Sequence, residues 1–212
     1  MNLRPGLATL ILVLAPLYAH QQRPPSPQQD PEGYAKFLEG AERVSRMQVP
    51  RVIETLGVKP GMKVADLGSG SGLFTRPIAK AVGPDGIVYA VDINDALLKI
   101  VDRSATEEKI ANIKTVLAST DDAKLPQPVD VIFICDTLHH IQGQPQYLKG
   151  LAKHLRPGGR VAIIDFSKDW PAGHEPMAYT LEALEGWMRD AGFSRISAHD
   201  YLDNSFFVIW MK

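Results

Sequence analysis

The sequence predicts an α/β protein: a doubly wound, mostly parallel sheet of seven strands with an antiparallel C-terminal strand. Three observations carry this prediction. Short, continuously apolar segments alternate with segments of helical spacing, the pattern of a parallel sheet covered on both faces. A run of glycines joins the first of these strands to the next helix. The chain closes on two strand-like segments around Asp203-Asn204, a hairpin signal that sets the last strand against its neighbour.

The elements follow in order. From Met1 to Gln29 only Arg4 and Arg23 are charged, and the 13 residues Leu7 to Ala19 are mostly apolar. That stretch is short of the ~20 residues a helix needs to span a bilayer. One basic residue, the apolar run and Leu17-Tyr18-Ala19 resemble a secretory signal peptide over residues 1–19, though Leu17 stands where a smaller residue is commoner. A short membrane anchor or a misassigned start codon are the alternatives. The leader points to an exported or membrane-associated protein; a cytoplasmic one is the alternative. Residues 20–32 read as an extended linker, with four prolines and four glutamines between His20 and Pro31.

The folded domain is expected over residues 33–212. Tyr34, Phe37, Leu38, Ala41, Val44 and Met47 lie on one helical face. Pro50 opens a short helix ending at Leu56-Gly57, and Lys59-Pro60-Gly61 is a turn. Strands are expected at Val64–Leu67, Ile87–Val91, Ile113–Leu117, Val129–Cys135 and Val161–Ile164. Helices at Leu73–Val82, Asp95–Arg103 and Gln146–Leu155 separate them, the last closed by Arg156-Pro157-Gly158-Gly159. Thr180 caps a helix with Leu181, Leu184, Trp187 and Met188 inside, ending at Gly192. Arg195–Leu202 and Ser205–Met211 make the final hairpin.

Composition narrows the function classes. Apolar residues are 45% and charged residues 22%, ordinary for a globular chain of 212 residues. A net charge of −1 gives no global field that favours nucleic acid. The lone Cys135 excludes an internal disulfide, a thiolate zinc cluster and any mechanism needing several protein thiols.

Chemistry concentrates at Val64-Ala-Asp-Leu-Gly-Ser-Gly-Ser-Gly72, between strand and helix. Gly68, Gly70 and Gly72 let the backbone turn tightly and approach a ligand, and the helix amino end offers free N–H groups to an acidic one. Ligands of open parallel sheets bind at the carboxyl ends of the strands. The nicotinamide fingerprint is G-x-G-x-x-G, whereas the spacing here is G-x-G-x-G behind Asp66. Asp92 ends the second strand 20 residues past Gly72, where an acid meets ribose hydroxyls or merely caps a helix. After the third strand, Asp121 or Asp122 can accept from an adenine amino group, or stand as a solvated loop charge.

These features in this order, with Leu155-Arg-Pro-Gly-Gly159 before an apolar strand, resemble the class I S-adenosylmethionine-dependent methyltransferases. The small-molecule subgroup called type 11 or UbiE-like is most similar, over about Val49 to Lys212. The resemblance implies a Rossmann-like, seven-stranded sheet with S-adenosyl-L-methionine as cofactor. It implies that Asp66, Gly68, Ser69, Gly70 and Gly72 hold the methionine part. Asp92 would bind the ribose, Ile93 would pack on adenine, Asp121 would meet the adenine amino group, and Asp136 would line the methionine end.

Departures sort the acceptors. Cys135-Asp-Thr-Leu-His-His140 is not the Asn/Asp-Pro-Pro-Tyr sequence of nucleic-acid amino methylation. One cysteine does not serve arsenite methylation, and no glutamate stands between Asp122 and Gly159 for arginine methylation. A small-molecule or lipid-like acceptor is left, with no nucleic acid; the oligomeric state is not legible. His139 or His140 is a candidate base beside the transferred methyl, against the plainer role of packing or capping. His174 and Asp165-Phe166 border the same side, and Tyr34, Phe37, Arg43 and Arg46 form either a lid or a surface helix. The histidines show no metal-binding spacing, so no metal is expected. A nicotinamide oxidoreductase and a cofactor-binding relative without turnover are the competing functions; the first lacks a Tyr/Lys pair.

Overall fold

In the computed structural model, residues 25–212 are described. The leader over 1–19 and the start of the linker lie outside the described residues. Order begins earlier than Gly33: the Asp30 carboxylate accepts from the Gly33 N–H and caps α1 (Pro31–Leu38), whose proline takes the first helical position. The single helix expected over Tyr34–Met47 is two helices. Gly40 is extended (φ −58°, ψ 141°) and starts α2 (Ala41–Arg46), which folds back so that Arg43 donates to the Leu38 carbonyl at 3.0 Å. Glycine is the weakest helix former apart from proline, so the break falls there. α3 (Val49–Leu56) ends on Gly57 in the left-handed region (φ 59°).

The sheet comprises β1 (Lys63–Leu67), β2 (Ile87–Asp92), β3 (Ile113–Leu117), β4 (Val129–Cys135), β5 (Leu155–Phe166), β6 (Ser194–His199) and β7 (Ser205–Met211). Their order is β3-β2-β1-β4-β5-β7-β6. The first five run parallel, and β7 is antiparallel to both β5 and β6. The doubly wound expectation therefore holds, including the antiparallel last strand. The helices are α4 (Thr75–Val82), α5 (Asp95–Glu107), α6 (Gln144–Leu151) and α7 (Leu181–Asp190).

Three boundaries differ for physical reasons. β6 stops at His199, so five residues rather than a two-residue Asp-Asn turn connect the hairpin. β5 begins at Leu155, because Leu155 pairs with Val129 across an irregular register before the ladder resumes at Arg160. The helix before it ends at Leu151, followed by a 3₁₀ turn over Ala152–His154.

Both sheet faces are buried. Leu67, Ile132, Ile134, Ile163 and Val208 pack under Leu148, Leu184 and Met188 on one side. Val64, Val131, Phe133, Ile164 and Phe207 meet Val52, Ile78 and Val82 on the other. Each such side chain contributes ~1.5–3 kcal/mol through removal from water. Because β1, β2, β4 and β5 are parallel, the residues after them gather along one edge: the glycine run, Asp92, Asp136 and Asp165. Chain order reverses between β1 and β4, the place where sheets of this kind open a crevice.

Candidate functional site

The glycine loop is tight. Gly68, Gly70 and Gly72 have φ of 73°, 52° and 84°, which disfavours any side chain. A Cβ on Gly68 would lie 2.2 Å from Thr137 Oγ1, because the loops after β1 and β4 touch there. The amides of the glycine loop itself are largely taken. Gly68 and Ser69 N–H donate to the Val91 carbonyl (2.7 and 3.0 Å), Gly72 N–H to the Ser69 carbonyl, and Gly70 N–H to Asp92 Oδ2 at 3.0 Å. Ser69 Oγ and Ser71 Oγ are buried with no hydrogen-bond partner among the described residues, as is Asp136 Oδ1. Such orphans are rare, so polar atoms of a ligand fit between them.

Asp66, at the bottom of the loop, takes a 2.5 Å hydrogen bond from Thr75 Oγ1. Burial pushes its carboxyl up to about 7, with Thr75 opposing the rise. Asp92 accepts from Gly70 N–H on one oxygen and from Asn94 N–H (2.9 Å) on the other. It thus braces the loop, and each carboxylate oxygen keeps a lone pair for a diol. Burial raises its pKa, and the backbone donors oppose that. Ile93 beside it is 59% exposed, an apolar platform at the crevice rim. Asp121 is exposed and held by Ser119 Oγ at 2.8 Å. Asp122 is committed elsewhere, to Lys153 (2.8 Å) and His154 (3.2 Å), and Lys153 holds its carboxyl below the usual range. Of the two acids, Asp121 is the one without an ion-pair partner among the described residues.

Across the crevice, Asp136 sits in the left-handed region (φ 48°), and its Oδ2 accepts from Arg43 at 2.9 Å. Burial works to lower the Arg43 pKa, and the Asp136 carboxylate more than offsets it. The pair ties α2 down over the crevice. Leu38 roofs the loop: a Cβ on Gly70 would come within 2.8 Å of its Cδ1. Arg46 donates to Asn204 Oδ1 and lies 5.8 Å from the Phe166 ring centre. Of the four lid candidates, Arg43 and Arg46 thus reach the crevice edge, Tyr34 is partly buried, and Phe37 is exposed.

The acceptor side is built on Asp165, fully buried at the end of β5. It receives His139 Nδ1 (2.7 Å), His139 N–H (3.3 Å), Phe166 N–H (2.9 Å) and Tyr179 OH (2.8 Å). The contact with Asp165 occupies Nδ1 of His139 and leaves Nε2 as the ring's other nitrogen. That Nε2 is buried without a partner among the described residues. His140 and His174 stack around it, ring centres 4.1 and 5.3 Å away, with Trp170 edge-on at 5.4 Å. Partial burial first, then the two neighbouring imidazoles, lower the His140 pKa to about 4. Burial, followed by the Asp165 charge, raises the Tyr179 hydroxyl far above its usual range.

The expectation of no metal site needs correcting in its reasoning. Spacing along the chain shows no motif because His174 lies 34 residues past His140, yet one ligand atom from each of His139, His140 and His174 falls within 4.8 Å of the others. Sequence reading also missed Ser71, Thr137, Trp170 and Tyr179. Ser71 was legible as a polar residue inside the glycine loop; Thr137 is placed by the meeting of the loops after β1 and β4, and Trp170 and Tyr179 by the connection that follows β5.

Known proteins give independent bearings. The sequence model of a family described as a methyltransferase domain matches residues 58–194. The ubiquinone/menaquinone biosynthesis C-methyltransferase UbiE of Ectopseudomonas mendocina is 32% identical over 184 residues, covering 70% of this chain and 71% of that one. The UbiE of Burkholderia vietnamiensis is 34% identical over 160 residues, covering 72% of this chain and 63% of its own length. A crystal structure of a SAM dependent methyltransferase from Aquifex aeolicus superposes with a TM-score of 0.77 at 26% identity, covering 86% of this chain and 98% of that one.

Proposed function

The chain belongs to the S-adenosylmethionine-dependent methyltransferase family, and on that premise we propose that it methylates a small-molecule or lipid-like acceptor by in-line attack on the sulfonium methyl. One observation carries the reading: Ser69, Ser71 and Asp136 keep buried side-chain oxygens without partners among the described residues, on the loops after β1 and β4 that meet at Gly68 and Thr137. Asp66, Gly68, Ser69, Gly70, Gly72 and Asp136 would hold the methionine part. Asp92 would accept from the ribose hydroxyls, Ile93 would cover adenine, and Asp121 would accept from its amino group.

The cofactor supplies an activated methyl group, so the protein's task is alignment and exclusion of water. Leu38 and the Arg43–Asp136 pair close the crevice from above. The acceptor side lies among Phe166, Trp170, Tyr179 and the histidines, an aromatic lining suited to a flat or hydrocarbon-rich molecule. The UbiE relatives, named for quinone biosynthesis, support an acceptor of that kind. His139 is the base in this reading, because Asp165 holds its Nδ1 and its Nε2 has no partner among the described residues. The apolar run in residues 1–19 supports an exported or membrane-associated location.

Calorimetry with S-adenosylhomocysteine tests the crevice, followed by a labelled-methyl screen against quinone, lipid and small amine pools. Absence of binding by the folded chain defeats the reading. Fractionation of cells with sizing of the amino terminus tests the location.

A further inference from the structure

We propose that His139, His140 and His174 form a binding site for a divalent transition-metal ion, zinc foremost. The three residues offer one ligand atom each within 4.8 Å of one another. The residue fixed deepest is His139, 3% exposed, whose Nδ1 is taken by Asp165 and whose Nε2 is buried without a partner among the described residues. The buried His174 Nδ1 is likewise unpartnered. Behind His139 stands Asp165, accepting from Nδ1 at 2.7 Å. A carboxylate on the far nitrogen of a ligating histidine is the usual outer support of a metal site: it sets the tautomer and strengthens the donor.

The size is compatible with a small movement. A tetrahedral zinc ion holds imidazole nitrogens at ~2.0–2.1 Å, which brings them ~3.3 Å apart. The three atoms, within 4.8 Å of one another, need to close by at most ~1.5 Å to reach that separation. His140 lies at the rim, and His174 stands on the connection between β5 and α7, next to a 3₁₀ turn. Imidazole donors without sulfur suit zinc, copper, nickel and cobalt ions over calcium or magnesium.

Three histidines leave at least one position on the ion open, the pattern of a reactive site rather than a closed structural one. Resting on the methyltransferase reading, that position would take an acceptor oxygen. A hydroxyl, phenol or enol bound there loses its proton to water more readily, and the resulting oxyanion or its conjugated carbon attacks the methyl as the sulfonium S–C bond breaks and S-adenosylhomocysteine leaves with that electron pair; a carbon so methylated then gives up its own hydrogen as a proton to water. Nε2 of His139 is then a ligand, and it acts as a base only in the metal-free protein.

Cobalt(II) is the probe. The full chain, stripped with chelator, is titrated with Co2+ and followed by its visible ligand-field bands; Zn2+ is then added. One equivalent giving four- or five-coordinate bands that Zn2+ abolishes is the expected result. His140→Ala with His174→Ala should remove the bands, Asp165→Asn should weaken the affinity ~10–100-fold, and His154→Ala with His199→Ala should change nothing. No bands with the unmodified chain, or bands that survive the His140/His174 double variant, overturn the proposal. Parallel S-adenosylhomocysteine calorimetry separates the two readings: nucleoside binding without Co2+ bands defeats the metal site alone, and bands without nucleoside binding defeat methyl transfer alone.

Discussion

Replacing Asp92 by alanine should weaken S-adenosylhomocysteine binding more than any other single change at the crevice rim. The carboxylate accepts from Gly70 N–H at 3.0 Å and from Asn94 N–H at 2.9 Å, and its remaining lone pairs face the position assigned to the ribose diol. Hydrogen bonds to an ionised acceptor contribute ~1.5–3 kcal/mol each, but water enters the vacated space, so the net loss in binding is ~1–3 kcal/mol. That corresponds to ~5- to 150-fold in affinity. Releasing two backbone donors should also lower stability by ~1–2 kcal/mol, since the site is partly wet and water satisfies them in part. Asp92→Asn keeps one acceptor oxygen and turns an amide NH2 toward the other donor, so it should fall between wild type and alanine. Titration calorimetry reads the affinity, with thermal unfolding to confirm the folded state. Repeating the titration with adenosine isolates the diol, because adenosine has the ribose but no methionine part. A folded Asp92→Ala protein with unchanged affinity for both ligands refutes the assignment.

Other predictions concern the loop, the lid and a buried acid. Gly68→Ala should cost more than ~2 kcal/mol in urea unfolding, since it forces a side chain into positive φ and against Thr137; Thr137→Gly should restore part of it. Arg43→Met should lower stability by about 3 kcal/mol, the lower end for breaking a buried pair, because Asp136 then keeps no partner on either oxygen. Asp66 titrates near 7 in the fold against 3.8 as a free side chain, so the folded state binds the extra proton between those values. Its contribution to stability is therefore present below 3.8 and lost as pH rises toward 7, a decline of about 4 kcal/mol. Asp66→Asn should remove that decline, which denaturation curves at several pH values between 4 and 8 would show; a variant with the wild-type slope excludes Asp66 as its source.

Much of the fold is legible because its determinants are local. The apolar strands Val129–Cys135 and Ile87–Val91 announce burial on both faces, and glycines 68, 70 and 72 announce backbone that no side chain permits. Boundaries set by non-local pairing are not legible. Nothing near Leu155 shows that it joins β5, because the cause is Val129 on another strand, and Gly40 divides a helix whose apolar spacing runs straight through it.

The site divides in the same way. Asp92 and the glycine run are readable because a strand end followed by a turn has one chemistry at a fixed distance along the chain. The inward-turned loop amides are not, since they depend on where the carbonyl of Val91 falls. Nor is the joining of His139 to Asp165, Tyr179 and His174, which only the parallel pairing of β4 with β5 makes possible. Residue types and short spacings thus settle the sheet and mark the glycine run and Asp92, where the physics acts within a few residues. Packing settles the lid and the histidine cluster, whose partners stand tens of residues apart and share one place only after the core has closed.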